Sequence, residues 1–344
     1  MSLFAGLVDG LHESLHVFSD PATGLRALVG VHSTRLGPAL GGTRALTTYA
    51  SDEAAVTDVL RLSRGMTYKA ALAGLKHGGG KAVIMLPKIP FDRKKLFESF
   101  GAAVESLGGR YITTEDSGTS PMDMAAVRTK TRHVCGMENT SGDPSPVTAY
   151  GVVRGLEAAA KHLFGSSNLG GRTVTVMGVG HVGMALVKEL RDRGAQVFVC
   201  DLDRSRLEDA VSRLGAVPLS EAELLEKQVD IFAPCALGSA LNDLTIPKLK
   251  VKIVGGAANN QLAEPRHGEQ LAARGIIYLP DYAINAGGLI NVAQEVLGYD
   301  RKIALARAGG IYDTIDALLR RAQETGKRPE EIADRMVEEK LRAA

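Results

Sequence analysis

The sequence predicts an α/β protein of two domains, the second of which is a parallel sheet covered by helices. Three observations support this prediction. The chain has 344 residues, more than one hydrophobic core ordinarily supports. Strand and helix patterns alternate regularly after residue 146. The glycine-rich segment 178–183 lies between a predicted strand and a predicted helix, which is typical of the first turn in such a sheet.

The N-terminal half, residues 1–146, predicts a domain of mixed strands and helices. Short apolar runs bounded by turn residues indicate strands, and apolar residues at helical spacing after a capping Ser or Asp indicate helices. The predicted strands are 15–18, 25–31, 82–86 and 111–114, and the predicted helices begin at Ser51 and Asp92.

The loop 141–146 marks the domain boundary, because its glycine and two prolines cannot continue a helix. Residues 147–326 are therefore assigned to a second domain. Its predicted strands are 173–177, 196–200, 229–233, 251–254 and 276–279. The charged helix 327–344 is expected to pack back on the first domain.

Composition argues against several classes of protein. Hydrophobic residues make up 45% and charged residues 23%, as in soluble globular proteins. Lys and Arg number 41 against 39 Asp and Glu, without a basic block, which argues against nucleic acid as the main partner. No apolar run approaches the roughly 18 residues of a membrane span, and the N-terminus carries no signal-peptide pattern. Three scattered cysteines and no HExxH pair predict a cytoplasmic protein without a metal ion.

A Gly-x-Gly-x-x-Gly motif follows the strand 173–177 and opens a helix. Its residues are Gly178, Val179, Gly180, His181, Val182 and Gly183. The glycines allow a tight turn and close approach of a pyrophosphate, whose charge the helix N-terminus favours. Asp201 ends the next strand, where a carboxylate can bond ribose hydroxyls and repels a 2′-phosphate. The motif predicts a Rossmann-type domain that binds NAD, with Arg204 leaving NADP open and a glycine turn without a ligand as the alternative.

Two lysines flank the segment between the first two helices. Lys69 follows Gly-Met-Thr-Tyr, and Lys81 follows three glycines that predict a tight backbone turn. A lysine held in a dry pocket beside another cation loses its proton more easily and can act as a base near neutral pH. The alternative interpretation is two solvated surface lysines around a glycine turn.

Seven short segments of uncommon sequence occur along the chain. They are GPALGGTR (37–44), MTYK (66–69), GGGK (78–81), TEDSGT (114–119), APCALG (233–238), GAANNQ (256–261) and NAGG (285–288). In this order they closely resemble the amino acid dehydrogenases for glutamate, leucine, valine and phenylalanine, and most nearly the leucine and valine enzymes, over almost the whole chain. The resemblance implies oxidative deamination of an L-amino acid in a cleft between a catalytic domain and an NAD domain, within a homo-oligomer.

The resemblance also implies roles on the substrate side. Lys69 would pair with the substrate carboxylate. Lys81 would be the general base that activates water for attack on the imine, and desolvation together with the Lys69 charge would help it lose its proton. Asp116 would carry a proton to and from the substrate nitrogen, with a helix cap as its alternative interpretation. Met66 and the backbone of Gly41 would shape the main-chain end of the substrate.

The resemblance places four further residues at the cofactor or where the substrate meets it. Asn259 is assigned to the cofactor and Asn260 to the substrate, although the resemblance does not separate their roles. Ala236 would line the cofactor side. Thr148 would bond the nicotinamide amide, or it is simply a residue in the first turn of a helix.

The side-chain pocket would be formed by Leu40, Thr114, Leu289 and Val292. None of the four is charged, and a pocket without a cation cannot hold a glutamate side chain cheaply. Leucine enzymes carry a smaller residue at the position of Thr114 and a valine at that of Leu289, so both departures narrow the pocket. Ser117, beside the predicted proton carrier, also departs from the usual valine.

The prediction is therefore a NAD-dependent dehydrogenase of leucine, valine or isoleucine that works in both directions. An aromatic amino acid dehydrogenase for Phe or Trp and a biosynthetic relative that acts on a modified amino acid are alternatives. A non-catalytic NAD-binding protein is a third alternative, against which the intact set of Lys69, Lys81 and Asp116 argues.

Overall fold

The computed structural model describes residues 6–7, 10–137, 140–236 and 238–344, with Leu297 described by its backbone alone. The chain forms two compact units. The first consists of Met1–Asp143, Val292–Arg301 and Val337–Ala344, and the second of Pro144–Asn291 and Lys302–Met336. The first boundary between the units lies between Asp143 and Pro144, three residues before the boundary expected between residues 146 and 147.

A five-stranded mixed sheet forms the centre of the first unit. Its elements are β1 (Ser14–Asp20), β2 (Leu25–Ser33), β3 (Ala39–Leu46), α1 (Asp52–Leu72), β4 (Gly78–Met85), α2 (Arg93–Glu105), β5 (Tyr111–Glu115) and α3 (Pro121–Arg128). The strand order is β1-β2-β4-β3-β5. β2 is antiparallel to both of its neighbours, whereas β3 is parallel to β4 and β5. Ser51 and Asp92 cap α1 and α2 through their side chains, as predicted.

Helices cover both faces of this sheet. α2 and α3 pack on one face, where Phe97, Phe100 and Tyr111 are completely buried. α1 packs on the other face through Val59 and Leu60, against Val83 of β4. Burial of one such large apolar side chain stabilises a fold by about 1.5–3 kcal/mol. The sheet is therefore a firm support for side chains at its strand ends.

The three glycines before Lys81 are the first residues of β4, and the expected turn at this place is wrong. A Cβ on Gly78 would lie 1.8 Å from the backbone oxygen of Ser33 in β2. A Cβ on Gly79 would lie 2.0 Å from the backbone nitrogen of Thr67 in α1. The glycines thus allow β4 to pack closely against β2 and α1. Lys81 projects from a strand and not from a turn.

Six parallel strands form the sheet of the second unit. They are β6 (Thr173–Met177), β7 (Gln196–Cys200), β8 (Val217–Pro218), β9 (Ile231–Pro234), β10 (Ile253–Val254) and β11 (Ile277–Tyr278). The order β11-β10-β9-β6-β7-β8 is the 3-2-1-4-5-6 order of dinucleotide-binding sheets, viewed from the other edge. The order reverses between β6 and β9, and ligands of such sheets bind beyond the carboxyl ends of the strands at this point.

The remaining helices follow the chain. They are α4 (Ser145–Phe164), α5 (His181–Asp192), α6 (Arg204–Leu214), α7 (Glu221–Glu226), α8 (Arg266–Ala273), α9 (Asp281–Ile284), α10 (Gly287–Ala293), α11 (Arg301–Gly309), α12 (Ile311–Thr325) and α13 (Pro329–Ala343), with 3₁₀ turns at Ile246–Lys248 and Gln294–Leu297. The loop expected to extend to Pro146 ends at Pro144. Pro146 lies in the first turn of α4, where a helix needs no backbone N–H from it.

The C-terminal helix α13 differs from the expectation that all of 327–344 packs on the first domain. Only the part from Val337 onward belongs to the first unit, and the part before it belongs to the second. Within the first unit, Lys340 Nζ donates a hydrogen bond of 2.7 Å to the backbone oxygen of Ala71 at the end of α1. Among the described residues, no helix is long and apolar enough to cross a membrane.

Candidate active site

Lys81 and Asp116 form an ion pair in the first unit, with 2.6 Å between Nζ and Oδ2. Lys81 lies on β4, and Asp116 directly follows β5. β3 runs between these strands, and its Thr43 is in register with both Ala82 and Glu115, the chain neighbours of the pair. The Lys81 side chain is only 8% exposed, so the ammonium group is held in a nearly dry place.

Two glycines of β3 make room for this pair and for α1. A Cβ on Gly42 would lie 2.6 Å from the backbone oxygen of Glu115 and 2.8 Å from the Cβ of Asp116. A Cβ on Gly41 would lie 1.8 Å from a backbone oxygen of β4 and 3.2 Å from Cγ of Met66. The structure therefore brings Gly41 and Met66 into contact, next to the position where Asp116 approaches the sheet.

Arg44 is a second cation beside Asp116. Its Nε lies 3.5 Å from Asp116 Oδ2, and its Nη1 lies 2.9 Å from Asp58 Oδ2. The hydroxyl of Tyr49 donates a hydrogen bond of 2.7 Å to the same oxygen of Asp58. Sequence reasoning gave Arg44 no role. The available signal was its place in a strand after Gly-Gly-Thr, where a buried arginine needs carboxylate partners.

The environment keeps Asp116 ionised. Burial alone would raise the pKa of Asp116, but the charge and hydrogen bond of Lys81 outweigh it. A hydrogen bond from the backbone N–H of Ser117 and the charge of Arg44 act in the same direction, so the pKa lies below its usual value. At neutral pH the pair therefore contains a carboxylate that can accept a proton.

Lys69 lies one helical turn after Met66, in the last turn of α1. Between them, Thr67 is completely buried, and its Oγ1 is hydrogen-bonded to Nδ1 of His32 at 2.8 Å. Burial, with the charges of His12 and Arg64, lowers the pKa of His32 to about 4, so its ring is neutral. This buried bond fixes the turn of α1 that carries both predicted substrate residues.

Leu40, Thr114 and Val292 are buried residues of the first unit, and Leu289 is a buried residue of the second. Leu40 on β3 and Thr114 on β5 belong to neighbouring parallel strands. Among the described residues, the Thr114 hydroxyl has no hydrogen-bond partner although it is buried. That these four side chains line one substrate pocket stays a prediction.

The glycine loop of the second unit has the shape that a dinucleotide needs. Gly178 has φ +95°, and a Cβ on it would lie 2.7 Å from the backbone nitrogen of Ala236. A Cβ on Gly183 would lie 2.0 Å from the backbone oxygen of Gly178. At Gly180 the nearest atom to such a Cβ is 3.9 Å away, in Arg206. The loop is therefore packed at its ends and open in the middle.

The helix behind this loop favours a phosphate. α5 begins at His181, which is exposed, and continues through Val182, and no side chain caps its N-terminus. Free N–H groups at a helix start, beside an open glycine, fit the pyrophosphate of a dinucleotide. These features fit the predicted NAD site, whose occupation stays a prediction.

Asp201 follows β7 and holds the turn beside the glycine loop. Its Oδ2 accepts a hydrogen bond of 2.7 Å from the backbone N–H of Val179, and its Oδ1 accepts one of 2.8 Å from the backbone N–H of Asp203. Asp203 in turn caps α6, whose first residue is Arg204. The carboxylate is thus fixed in place by the backbone, and each oxygen keeps a second lone pair for a ribose hydroxyl.

Two side chains hold the loop that carries Asn259 and Asn260. Asn285 Nδ2 donates a hydrogen bond of 2.8 Å to Asn259 Oδ1 and one of 3.1 Å to the Ala257 backbone oxygen. Asp281 Oδ2 accepts a hydrogen bond of 2.7 Å from the backbone N–H of Asn260, whose φ is +52°. Sequence reasoning did not find Asp281, because no local pattern joins it to a loop 21 residues away.

Thr148 lies in the first turns of α4 and contacts the glycine pair of the NAGG segment. A Cβ on Gly288 would lie 2.9 Å from Thr148 Oγ1, and the hydroxyl donates a hydrogen bond of 2.9 Å to the Pro144 backbone oxygen. The hydroxyl hydrogen of Thr148 is therefore already bonded to the backbone at the start of its own helix. A bond from Thr148 to a nicotinamide amide would use an oxygen lone pair.

Other chemistries have little support in the described residues. Burial raises the pKa of Cys135 to about 12 and that of Cys200 to about 11, so both thiols stay protonated and are poor nucleophiles. Within the described ranges, no group of three or more His, Cys, Asp or Glu side chains could hold a metal ion.

Comparison with known proteins agrees with this arrangement. Residues 12–133 match the Glu/Leu/Phe/Val dehydrogenase, dimerisation domain, and residues 203–308 match the Glutamate/Leucine/Phenylalanine/Valine dehydrogenase domain. Leucine dehydrogenase of Thermoactinomyces intermedius is 48% identical over 96% of this chain and 91% of its own length. Valine dehydrogenase of Streptomyces albus is 47% identical over 97% of this chain and 93% of its own length.

The fold agrees over the same length. The crystal structure of L-tryptophan dehydrogenase from Nostoc punctiforme superposes with a TM-score of 0.89 at 41% identity, covering 99% of this chain and 98% of that one. A dinucleotide-type sheet and a buried lysine–aspartate pair thus occur together in an oxidoreductase of the amino acid dehydrogenase class. The chain belongs to the Glu/Leu/Phe/Val dehydrogenase family.

Proposed function

We propose that this enzyme catalyses NAD-dependent oxidative deamination of leucine, valine or isoleucine to the 2-oxo acid and ammonia, and the reverse reductive amination. The observation that carries the proposal is the pair of the buried Lys81 with the partly buried Asp116, whose contact is 2.6 Å. It occurs in a chain that is 48% identical to a leucine dehydrogenase and 47% identical to a valine dehydrogenase.

The proposed roles follow from charge and position. Lys69 pairs with the substrate carboxylate, and Asp116 takes a proton from the substrate ammonium group. A dinucleotide held at the glycine loop would supply the acceptor for the hydride that the α-carbon loses, and the substrate would become an imine. Lys81, in its neutral form, removes a proton from water as the water oxygen adds to the imine carbon. Asp116 returns its proton to the nitrogen, the hydroxyl group of the adduct loses its proton to solvent, and the carbon–nitrogen bond breaks to release ammonia and the 2-oxo acid.

The proposed substrate class rests on the side-chain pocket. Leu40, Leu289 and Val292 are apolar, and Thr114 adds only a hydroxyl, so a glutamate carboxylate would be buried there without a cation. An aliphatic side chain has no charge to desolvate and can be buried in this pocket without such a cost. Because one methylene in an apolar pocket is worth about 1–3 kcal/mol, discrimination among the three branched substrates would be about tenfold to two-hundredfold.

A second candidate is an aromatic amino acid dehydrogenase. The observation in its favour is the 41% identity to a solved L-tryptophan dehydrogenase, over nearly the whole of both chains. The size of Thr114 and Leu289 argues against it, because both side chains occupy volume that an aromatic ring would need.

The cofactor is proposed to be NAD. Asp201 is fixed by two backbone N–H groups beside the glycine loop, so its negative charge cannot easily turn away. A carboxylate there repels the 2′-phosphate of NADP and can bond the ribose hydroxyls of NAD.

The working enzyme is proposed to be a homo-oligomer in the cytoplasm. Residues 12–133 match a domain that is described as a dimerisation domain, which supports assembly of identical chains. The three cysteines are free thiols, which suits a reducing compartment. Light scattering of the purified enzyme would give the subunit number.

Assay of the purified enzyme against a panel of L-amino acids tests the proposal. NADH formation should be fastest with leucine, valine and isoleucine, slower with phenylalanine and tryptophan, and negligible with glutamate. D-Leucine is the matched control, because it has the same side chain and the wrong geometry at the reacting carbon. Preference for phenylalanine or tryptophan would overturn the substrate class, and no NADH from any amino acid would overturn the function.

A further inference from the structure

We propose that Arg44 is a positioning residue that sets the proton equilibrium of the Lys81–Asp116 pair, and that Asp58 and Tyr49 hold it in place. This rests on the proposed function, because the pair is the proposed proton carrier and base. Arg44 acts through Asp116 and has no direct part in the chemistry.

The geometry is a row of alternating charges. Arg61 contacts Asp58 at 3.1 Å, Asp58 contacts Arg44 at 2.9 Å, and Arg44 contacts Asp116 at 3.5 Å, where Lys81 completes the row. The Arg44 and Asp58 side chains are 21% and 16% exposed, so solvent screens their charges only partly. The row spans α1, β3, β4 and the residue after β5, and carboxylates of α1 and of the residue after β5 fix the guanidinium group of β3.

The anchor at Asp58 is itself strongly ionised. Burial would raise the pKa of Asp58, but hydrogen bonds from Tyr49 and Arg61 and the charge of Arg44 hold it below its usual value. Arg44 therefore stays between two carboxylates, and rotation of its side chain away from this position would remove one cation from each of them. Removal of a partner from a partly buried charge is costly, which keeps the row intact.

The charge of Arg44 bears on both members of the pair. Arg44 Nε and Lys81 Nζ contact the same oxygen of Asp116 at 3.5 and 2.6 Å, so the two cations lie within about 6 Å of each other. Arg44 therefore opposes uptake of a proton by the pair as a whole. Because the two sites are coupled, the effect belongs to the pair and not to one residue.

Two further titratable groups lie near this pair, Tyr111 and Asp58. Tyr111 on β5 also faces Asp116, but burial raises its pKa far above neutral, so it stays uncharged. Its hydroxyl donates to the backbone oxygen of Gly41. Asp58 on α1 faces Asp116 from behind Arg44. Lys81 and Arg44 are thus both cations in contact with Asp116.

The acid limb of the pH profile of kcat/KM is the direct readout. In Arg44→Gln the limb for oxidative deamination of leucine should move to higher pH by about one unit, since a neighbouring charge at this distance has about that effect. Turnover should then recover partly as pH rises. Arg44→Lys keeps the charge and should keep the limb near its wild-type position, even where kcat falls.

Arg193→Gln is the matched control. Arg193 also bridges two carboxylates, Glu157 and Glu189, each at 2.6 Å, with a side chain of similar exposure, but it lies in the second unit. Arg193→Gln should lower Tm and leave the acid limb of the kcat/KM profile unmoved. If the limb stays unmoved in Arg44→Gln, as is expected for the control, Arg44 is only structural and the proposal is overturned, whatever the value of kcat.

A second readout needs no substrate. The Tm loss caused by Arg44→Gln at pH 7 should be smaller in an Asp116→Asn background, where Arg44 has lost one of its two carboxylate partners. If Arg44→Gln lowers Tm by the same amount in the wild-type and Asp116→Asn backgrounds, the two residues are not coupled and the proposal is overturned. This readout applies even if the enzyme shows no activity. A wild-type enzyme that forms no NADH from any amino acid would overturn the proposed function, and the Tm cycle would still show whether Arg44 is coupled to Asp116.

Discussion

Gly42→Ala should damage catalysis although it adds only one methyl group. The residue lies on β3, between the strands that carry Lys81 and lead to Asp116. Its φ is not in the left-handed region, so alanine would cause no backbone strain there. The effect should therefore come from the space alone.

The magnitude follows from the two close contacts. The added carbon would lie 2.6 Å from the Glu115 backbone oxygen and 2.8 Å from the Asp116 Cβ. Ordinary contact needs about 3.5 Å, so Asp116 must move by about 0.7 Å. A misplacement of about 1 Å at a reacting group costs on the order of a hundredfold in rate. We expect kcat for leucine to fall by about tenfold to a hundredfold.

The assay is steady-state NADH formation, with NADH binding measured by fluorescence titration. NADH binding should stay at the wild-type value, because the glycine loop belongs to the other unit. Gly65→Ala is the control: it lies exposed in α1 with no atom within 4 Å of the added carbon, and should keep kcat while raising stability by about 0.5–1 kcal/mol. Wild-type kcat in Gly42→Ala would refute the placement of Asp116.

Three further changes test other parts of the site. Lys69→Ala should raise KM for leucine at least tenfold, because the substrate carboxylate loses its cation, as steady-state kinetics would show. Asp201→Ser should raise the ratio of NADP to NAD efficiency, since the charge that opposes a 2′-phosphate is gone. Thr114→Gly together with Leu289→Gly should raise phenylalanine turnover relative to leucine turnover, because both changes enlarge the predicted pocket.

Each of these changes has an opposing outcome. An unchanged KM in Lys69→Ala would place the carboxylate elsewhere. An unchanged cofactor ratio in Asp201→Ser would direct attention to Arg204 and Arg206. An unchanged ratio of substrates in the double glycine variant would show that Thr114 and Leu289 do not line the pocket.

Much of the fold could be predicted because its signals are local. The capping residues Ser51 and Asp92 start helices, and the glycine loop after 173–177 has the predicted strand before it and helix after it. In contrast, the glycines before Lys81 suggested a turn. Their reason for being glycine is contact with β2 and α1, which are distant in sequence, so no local pattern could show that they belong to a strand.

The site could be predicted only in part for the same reason. Lys81 and Asp116 stand out by motif, but the Arg44–Asp58 link joins β3 to a helix, and its effect on Asp116 depends on the packing of three elements. The strands 253–254 and 277–278 are shorter than their apolar runs suggest, because few of their residues make parallel pairs. Packing, and not periodicity, sets those limits.

The most direct test of the central claim, that Lys81 is the base of an amino acid dehydrogenase, is steady-state NADH formation by Lys81→Ala with leucine and NAD, because every turnover after the first requires hydrolysis of the imine. Loss of a general base costs about a hundredfold to ten-thousandfold, so NADH formation should fall by that factor while the protein still folds and binds NADH. Near wild-type NADH formation by a folded Lys81→Ala enzyme would contradict the claim and assign the proton to another group.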